Sequence, residues 1–113
     1  MSEIKKLNLS TNKILAQISN KVGHIIFNNP ERHNAVSLEM WDAVEEALIA
    51  FSKDENIRVV ILSGAGGKSF VSGADISKFD SERGSKDAVD HYNARIKVVY
   101  NLIENFAKPT IAM

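Results

Sequence analysis

The chain contains no cysteine, which excludes disulfides and thiolate metal sites. Its three histidines, His24, His33 and His91, share no metal-ligand spacing. It has no excess charge of either sign: 14 basic and 14 acidic side chains cancel. No net field therefore argues for nucleic acid or for an anionic membrane surface as a partner. No apolar run approaches the ~18 residues of a membrane span. The N-terminal stretch Met1 to Lys6 has no apolar core, so it does not read as a secretory signal. Proline occurs twice, at Pro30 and Pro109. There is no Pro/Ser-rich linker, no low-complexity tract and no repeat.

What is present is ordinary globular composition, 44% apolar and 25% charged over 113 residues, enough for one small domain. The default is a soluble cytoplasmic protein. Residues 1–12 are polar and read as a loose segment, apart from Leu7 and Leu9. Ile14–Ser19 and Val22–Phe27 read as two strands, with Asn20-Lys21 as a hairpin turn. Asn28-Asn29-Pro30 ends the second strand, since proline has no N–H for a ladder. Ser37 is a good N-cap for the helix that follows. Met40, Val44, Ala47, Leu48 and Phe51 share one helical face. Glu39, Asp42, Glu45 and Glu46 lie opposite and read as a solvated face.

Arg58 to Ser63 is apolar on both faces and predicts a central strand in a parallel arrangement, reached by a right-handed crossover. A glycine-rich bend, Gly64-Ala65-Gly66-Gly67, comes next. Ile76 to Phe79 predicts a short helix or turn, and Asp80 to Ser85 a polar flap. A long helix is expected over about 86–106. Its stripe is Val89, Tyr92, Ile96, Val99, Ile103 and Phe106, and the Lys108-Pro109 step closes it. Thr110 to Met113 begins another strand. The whole pattern is an α/β reading. Trp41 and Tyr92 read as core or subunit-interface residues, and His91 as a surface residue.

The glycine bend invites a phosphate-binding reading, because Gly67-Lys68-Ser69 ends like a P-loop. The spacing fails: that motif needs glycine where Leu62 stands, and the dinucleotide motif needs glycine where Ser69 stands. A different chemistry fits better. In Lys68-Ser69-Phe70-Val71-Ser72-Gly73-Ala74-Asp75-Ile76 a buried strand leads through a tight loop into a short helix. Such a turn leaves backbone N–H groups free. An enzyme that makes an oxyanion from a carbonyl needs those donors. Asp75 as a helix cap and Gly73 as a residue of unusual backbone angle suit the same loop without any chemistry.

This segment resembles the crotonase superfamily, the enoyl-CoA hydratase/isomerase family, in its Phe-x-x-Gly-Ala-Asp-Ile. Asn28-Asn29-Pro30-Glu31-Arg32-His33-Asn34-Ala35 is similar to the family's Asn-Pro…Asn-Ala turn, Leu38 to Phe51 to its first long helix, and Lys108-Pro109-Thr110-Ile111-Ala112 to the strand that follows. The resemblance runs from about residue 12 to Met113. It implies a crotonase-like β-β-α spiral, of which this chain is the N-terminal part of a single domain, a fragment or half of a split protein. It implies that the Ala74 N–H is an oxyanion donor to an acyl-CoA thioester. Arg32, His33, Phe70, Ser72, Gly73, Ala74, Asp75, Ile76 and Ser77 are then the substrate-binding set. Arg32 and His33 read equally as an exposed turn. Lys68 and Lys78 are further candidates for the CoA phosphates, although Ser77 stands where some family members carry a lysine.

The implied reaction is reversible hydration of a trans-2-enoyl-CoA. The alternatives are isomerase, hydrolase or carbon–carbon lyase chemistry, or a non-catalytic CoA-binding or interaction fragment. Coenzyme A enters as substrate carrier; no cofactor and no metal is expected, and neither nucleic acid nor membrane as a partner. By resemblance, the second oxyanion glycine and the catalytic glutamates lie beyond Met113. The chain alone is therefore expected to be inactive, and the full-length form to be a homotrimer or hexamer.

Overall fold

The computed structural model describes residues 4–67, 70, 71, 73 and 84–113. A five-stranded mixed sheet runs in sequence order, β1 Lys5–Lys6, β2 Ile14–Ser19, β3 Val22–Phe27, β4 Val59–Gly64 and β5 Thr110–Ala112. The first three strands are antiparallel; β3, β4 and β5 are parallel. Helix α1, Leu38–Lys53, connects β3 to β4, and helix α2, Lys86–Glu104, precedes β5.

The hairpin between β2 and β3 has the two-residue turn expected of it. Asn20 and Lys21 sit at φ +51° and +66°, as a turn matching strand twist requires at both central positions. Pairing of Ser19 with Val22 fixes the register, which sends Ile14 and Ala16 from β2, and Ile25 and Phe27 from β3, to one buried face. Gly23 lies on that face directly under Phe51. A Cβ there would meet the ring at 2.8 Å, so the close approach of strand and helix needs glycine. Met40, Ala43, Val44, Ala47, Leu48 and Phe51 of α1 close the core over this face.

Several expectations need adjustment. Residues 5–10 are less loose than their polarity suggests. Lys5 and Lys6 pair with β2, the Leu7 N–H donates to the Ala16 carbonyl, and Ser10 donates to the Glu46 carboxylate. Strand β4 is buried on one face only: Val60 and Leu62 are buried, while Val59, Ile61 and Ser63 are partly covered. Ser37 is the N-cap residue of α1, but its side chain does not cap. Its Oγ is buried with no hydrogen-bond partner among the described residues. Ser85 does cap α2, accepting from the Ala88 N–H. The stripe of α2 is partly covered, with Tyr92 and Val99 buried and Val89, Ile96, Ile103 and Phe106 half-buried. Among the described residues no helix is long and apolar enough to cross a membrane.

The acidic face of α1 is not simply solvated. Arg95 of α2 donates from Nε to Asp42 at 3.0 Å and from its terminal nitrogen to Glu45. Lys13 faces Glu39 at 3.7 Å. The planar guanidinium fork can hold two carboxylates at once, so Arg95 fastens α2 across α1. At the other end of α1, the Lys108 ammonium donates to the Phe51 and Asp54 carbonyls, both at 2.6 Å. These groups lie at a helix C-terminus, where carbonyls lack partners and a cation is favoured.

Candidate active site

Three segments meet at the C-terminal ends of β3 and β4. The first is the turn after β3. Pro30–Arg32 forms a single 3-10 turn, and His33 and Asn34 continue it at φ +54° and +59°. The left-handed region costs most residues energy, but asparagine tolerates it best after glycine. Asn34 is buried. Its Oδ1 accepts from the Asn29 N–H at 2.8 Å, and its Nδ2 donates to the Ala65 carbonyl at 3.0 Å. Asn29 in turn donates from Nδ2 to the Ala35 carbonyl at 2.8 Å.

The second segment is the glycine bend after β4. The Ala65 N–H donates to the Phe27 carbonyl, which anchors the bend to the end of β3. The third is the stretch at Phe70, Val71 and Gly73. Here the Val36 N–H donates to the Gly73 carbonyl at 2.8 Å. Gly73 has φ +135°, a conformation that only glycine adopts without strain. The turn at 29–36 therefore grips the loop at two points, Ala65 and Gly73.

Aromatic rings continue the connection. Phe70 stacks edge-on against Phe27, Phe27 against Trp41, and Trp41 against Tyr100, with centroids 5.6, 6.2 and 5.5 Å apart. Such edge-to-face pairs are favourable beyond their buried area. Beside this row, Trp41, Val71, Gly73, Tyr92, Ile96 and Tyr100 enclose a cavity of about 190 Å³. Its walls are largely apolar, and it opens between α1, α2 and the residue that precedes Ala74.

Of the residues expected at the site, Gly73 lines the cavity beside Val71, whereas Phe70 packs on Phe27 and does not line it. Arg32 and His33 are exposed on the turn. Ser72, Ala74, Asp75, Ile76 and Ser77 lie outside the described residues, as do Lys68, Lys78 and most of the expected flap. His91 is on the surface, as expected. Trp41 and Tyr92 are packed as expected, yet both also form the cavity wall. Tyr100, one helical turn beyond Ile96, also lines the cavity, although it was not named in the apolar stripe of α2. No group of three or more His, Asp or Glu side chains that could hold a metal comes together among the described residues.

Residues 22–113 match the family described as enoyl-CoA hydratase/isomerase. The chain belongs to this family. A solved relative, an enoyl-CoA hydratase/carnithine racemase from Magnetospirillum magneticum, superposes with a TM-score of 0.84 at 34% identity, over 92% of this chain and 39% of its own. The crotonyl-CoA hydratase of Syntrophomonas wolfei is 31% identical over 88% of this chain and 37% of its own length. A mitochondrial Δ(3,5)-Δ(2,4)-dienoyl-CoA isomerase from Mus musculus is 32% identical over 79% of this chain and 30% of its own. The chain thus corresponds to the N-terminal portion of the crotonase fold and spans about two fifths or less of the length of these relatives.

Proposed function

We propose that this chain forms part of an acyl-CoA enzyme, with enoyl-CoA hydration as the leading reaction. The observation that carries the reading is the apolar cavity that opens beside Gly73, immediately before Ala74. In this reading the Ala74 N–H meets the thioester oxygen, and the apolar cavity takes part of the acyl chain. The oxygen gains negative charge as water adds across the double bond: oxygen to the β-carbon, a proton to the α-carbon. A fixed N–H aimed at that charge lowers the barrier, and loss of one such donor typically costs about 3–4 kcal/mol.

The remaining site residues, Ser72, Asp75, Ile76 and Ser77 with Arg32 and His33, are part of the same proposal. So are the absence of any cofactor beyond the CoA thioester, a trimeric or hexameric full-length form and a cytoplasmic location. An isomerase and a hydratase are about equally similar to this chain, so the reaction within the family is the finer part of the reading.

A second reading rests on a separate observation. Leu48, Ser52, Val98, Leu102, Phe106 and Ala107 line an open apolar groove of about 480 Å³, which suits a non-catalytic interaction module.

Titration with crotonyl-CoA and with CoA itself separates the two. The acyl-CoA reading expects tighter binding of the thioester and, for this chain alone, no hydration above background. Equal affinity for both would remove it. Turnover by the chain alone would show that the proton-transfer groups lie within it.

A further inference from the structure

We propose that the free edge of β5 is a docking site for a second copy of this chain, which pairs its own β5 there, antiparallel, about a two-fold axis at Ile111. The proposal is independent of the acyl-CoA reading. Strand β5 is the last of the sheet, and its register with β4 decides which of its backbone groups are already bonded. The Val60 N–H donates to the Pro109 carbonyl, and the Met113 N–H to the Leu62 carbonyl. Backbone groups alternate in direction along a strand. Ile111 therefore also faces β4, while the N–H and C=O of Thr110 and of Ala112 point away from it. Neither residue has a partner for them among the described residues. Such an edge is a template for another strand. The opposite edge, β1, is blunted by the exposed Lys5 and Lys6, whereas Thr110–Ala112 carries no charge.

Two features select a second copy as the occupant. The first is the symmetry of the hydrogen bonds. In an antiparallel pair centred on Ile111, Thr110 of each copy lies opposite Ala112 of the other, and the two exchange N–H···O=C bonds in both directions. The free groups thus match themselves under a two-fold axis, as an isologous interface requires. The second is apolar surface. Ile111 is in register with Ile61, on the face away from α1, and is 49% exposed; Met113, two residues on, is 72% exposed. The two-fold axis sets the two Ile111 side chains at a non-hydrogen-bonded position, where facing side chains come closest. With 14 basic and 14 acidic side chains, no net charge holds the copies apart.

A strand of 3 residues buries far less than a standard interface, so the dimer should be weak, with a dissociation constant on the order of 0.1–1 mM. Sedimentation equilibrium of the whole chain over that range measures it. Ala112→Pro removes the outward N–H and spares the bonds to β4, none of which uses it. It should weaken the dimer about tenfold or more. Ala112→Val keeps the N–H and should keep the wild-type constant. Val98→Lys, in the groove between the helices, should reduce only species larger than the dimer. A wild-type chain that stays monomeric throughout would overturn the proposal. So would a dimer that survives Ala112→Pro, or one that Val98→Lys abolishes, since the contact would then lie elsewhere. If Ala112→Pro does not fold, amide exchange in the wild type decides. Protection of Thr110 and Ala112 should rise with protein concentration, and that of Ile111, already bonded to β4, should rise less. Protection of Thr110 and Ala112 that is the same at every concentration would overturn the proposal.

Discussion

The two ends of helix α1 are held in opposite ways. Before its N-terminus, Asn29 and Asn34 are buried and bonded within their own turn and to the Ala65 carbonyl of the glycine bend. Around its C-terminus, Lys108 satisfies two carbonyls, but the neighbouring surface is an open apolar groove where Val98 is 41% exposed and Phe106 half-buried. Hydrogen bonds are directional, so the first end defines where a loop sits to a fraction of an ångström. Apolar contact is not directional. The second end can therefore accept further polypeptide of many shapes. Directional contacts are concentrated where the candidate site lies, and an open apolar surface is left at the other end.

The largest expected effect erases the contrast. Phe51 is 1% exposed and lies between the sheet and the α1 C-terminus. Phe51→Ala should cost about 3–5 kcal/mol in urea unfolding and loosen both ends together. Next, Asn29→Ala removes the donor to the Ala35 carbonyl and leaves a buried acceptor unpaired, a loss of about 1–3 kcal/mol. Unlike the first variant, it should leave the groove end intact, as judged by amide exchange in α2.

Smaller effects sharpen the picture. The Arg95 guanidinium is raised above its ordinary value, chiefly by its hydrogen bond to Asp42. A base whose folded pKa is raised contributes stability below its unfolded pKa and loses it only as pH rises through the folded value. That window lies above the working range. Arg95→Met should therefore cost the same at neutral and mildly alkaline pH, under about 1 kcal/mol for a part-exposed pair. The smallest effect on stability is expected for Val98→Lys, within about 0.5 kcal/mol. Yet it should lower self-association of the isolated chain in sedimentation across a concentration series, because it charges the apolar groove. An unchanged, fully monomeric profile in both proteins would mean that the groove is not adhesive.

Much of this was legible in the sequence where the signal is local. The Asn20-Lys21 turn, the α1 face from Met40 to Phe51 and the α2 stripe follow from period and turn chemistry. Their bounds agree with the structure to within two residues. The loop geometry was legible in part: Gly73 has the positive φ that its place after a buried strand suggested. What was not legible is long-range. Nothing local marks Asn34 as the partner of Ala65, Arg95 as the partner of Asp42 and Glu45, or Lys108 as the cap of a helix that ended 55 residues earlier. Ser37 shows the converse. Its type predicts a cap, but burial leaves its hydroxyl without the expected bond.

The central claim is that the polar turn is the more firmly fixed end. Native-state amide exchange measures this residue by residue, since local opening free energies run from near zero to the global value. The Asn29, Asn34, Val36 and Ala65 amides should exchange only with global unfolding, and those of Asn101 to Glu104 in the last turn of α2 by local opening. Fast local exchange at Asn34 and Val36, with protection at the end of α2, would contradict the account.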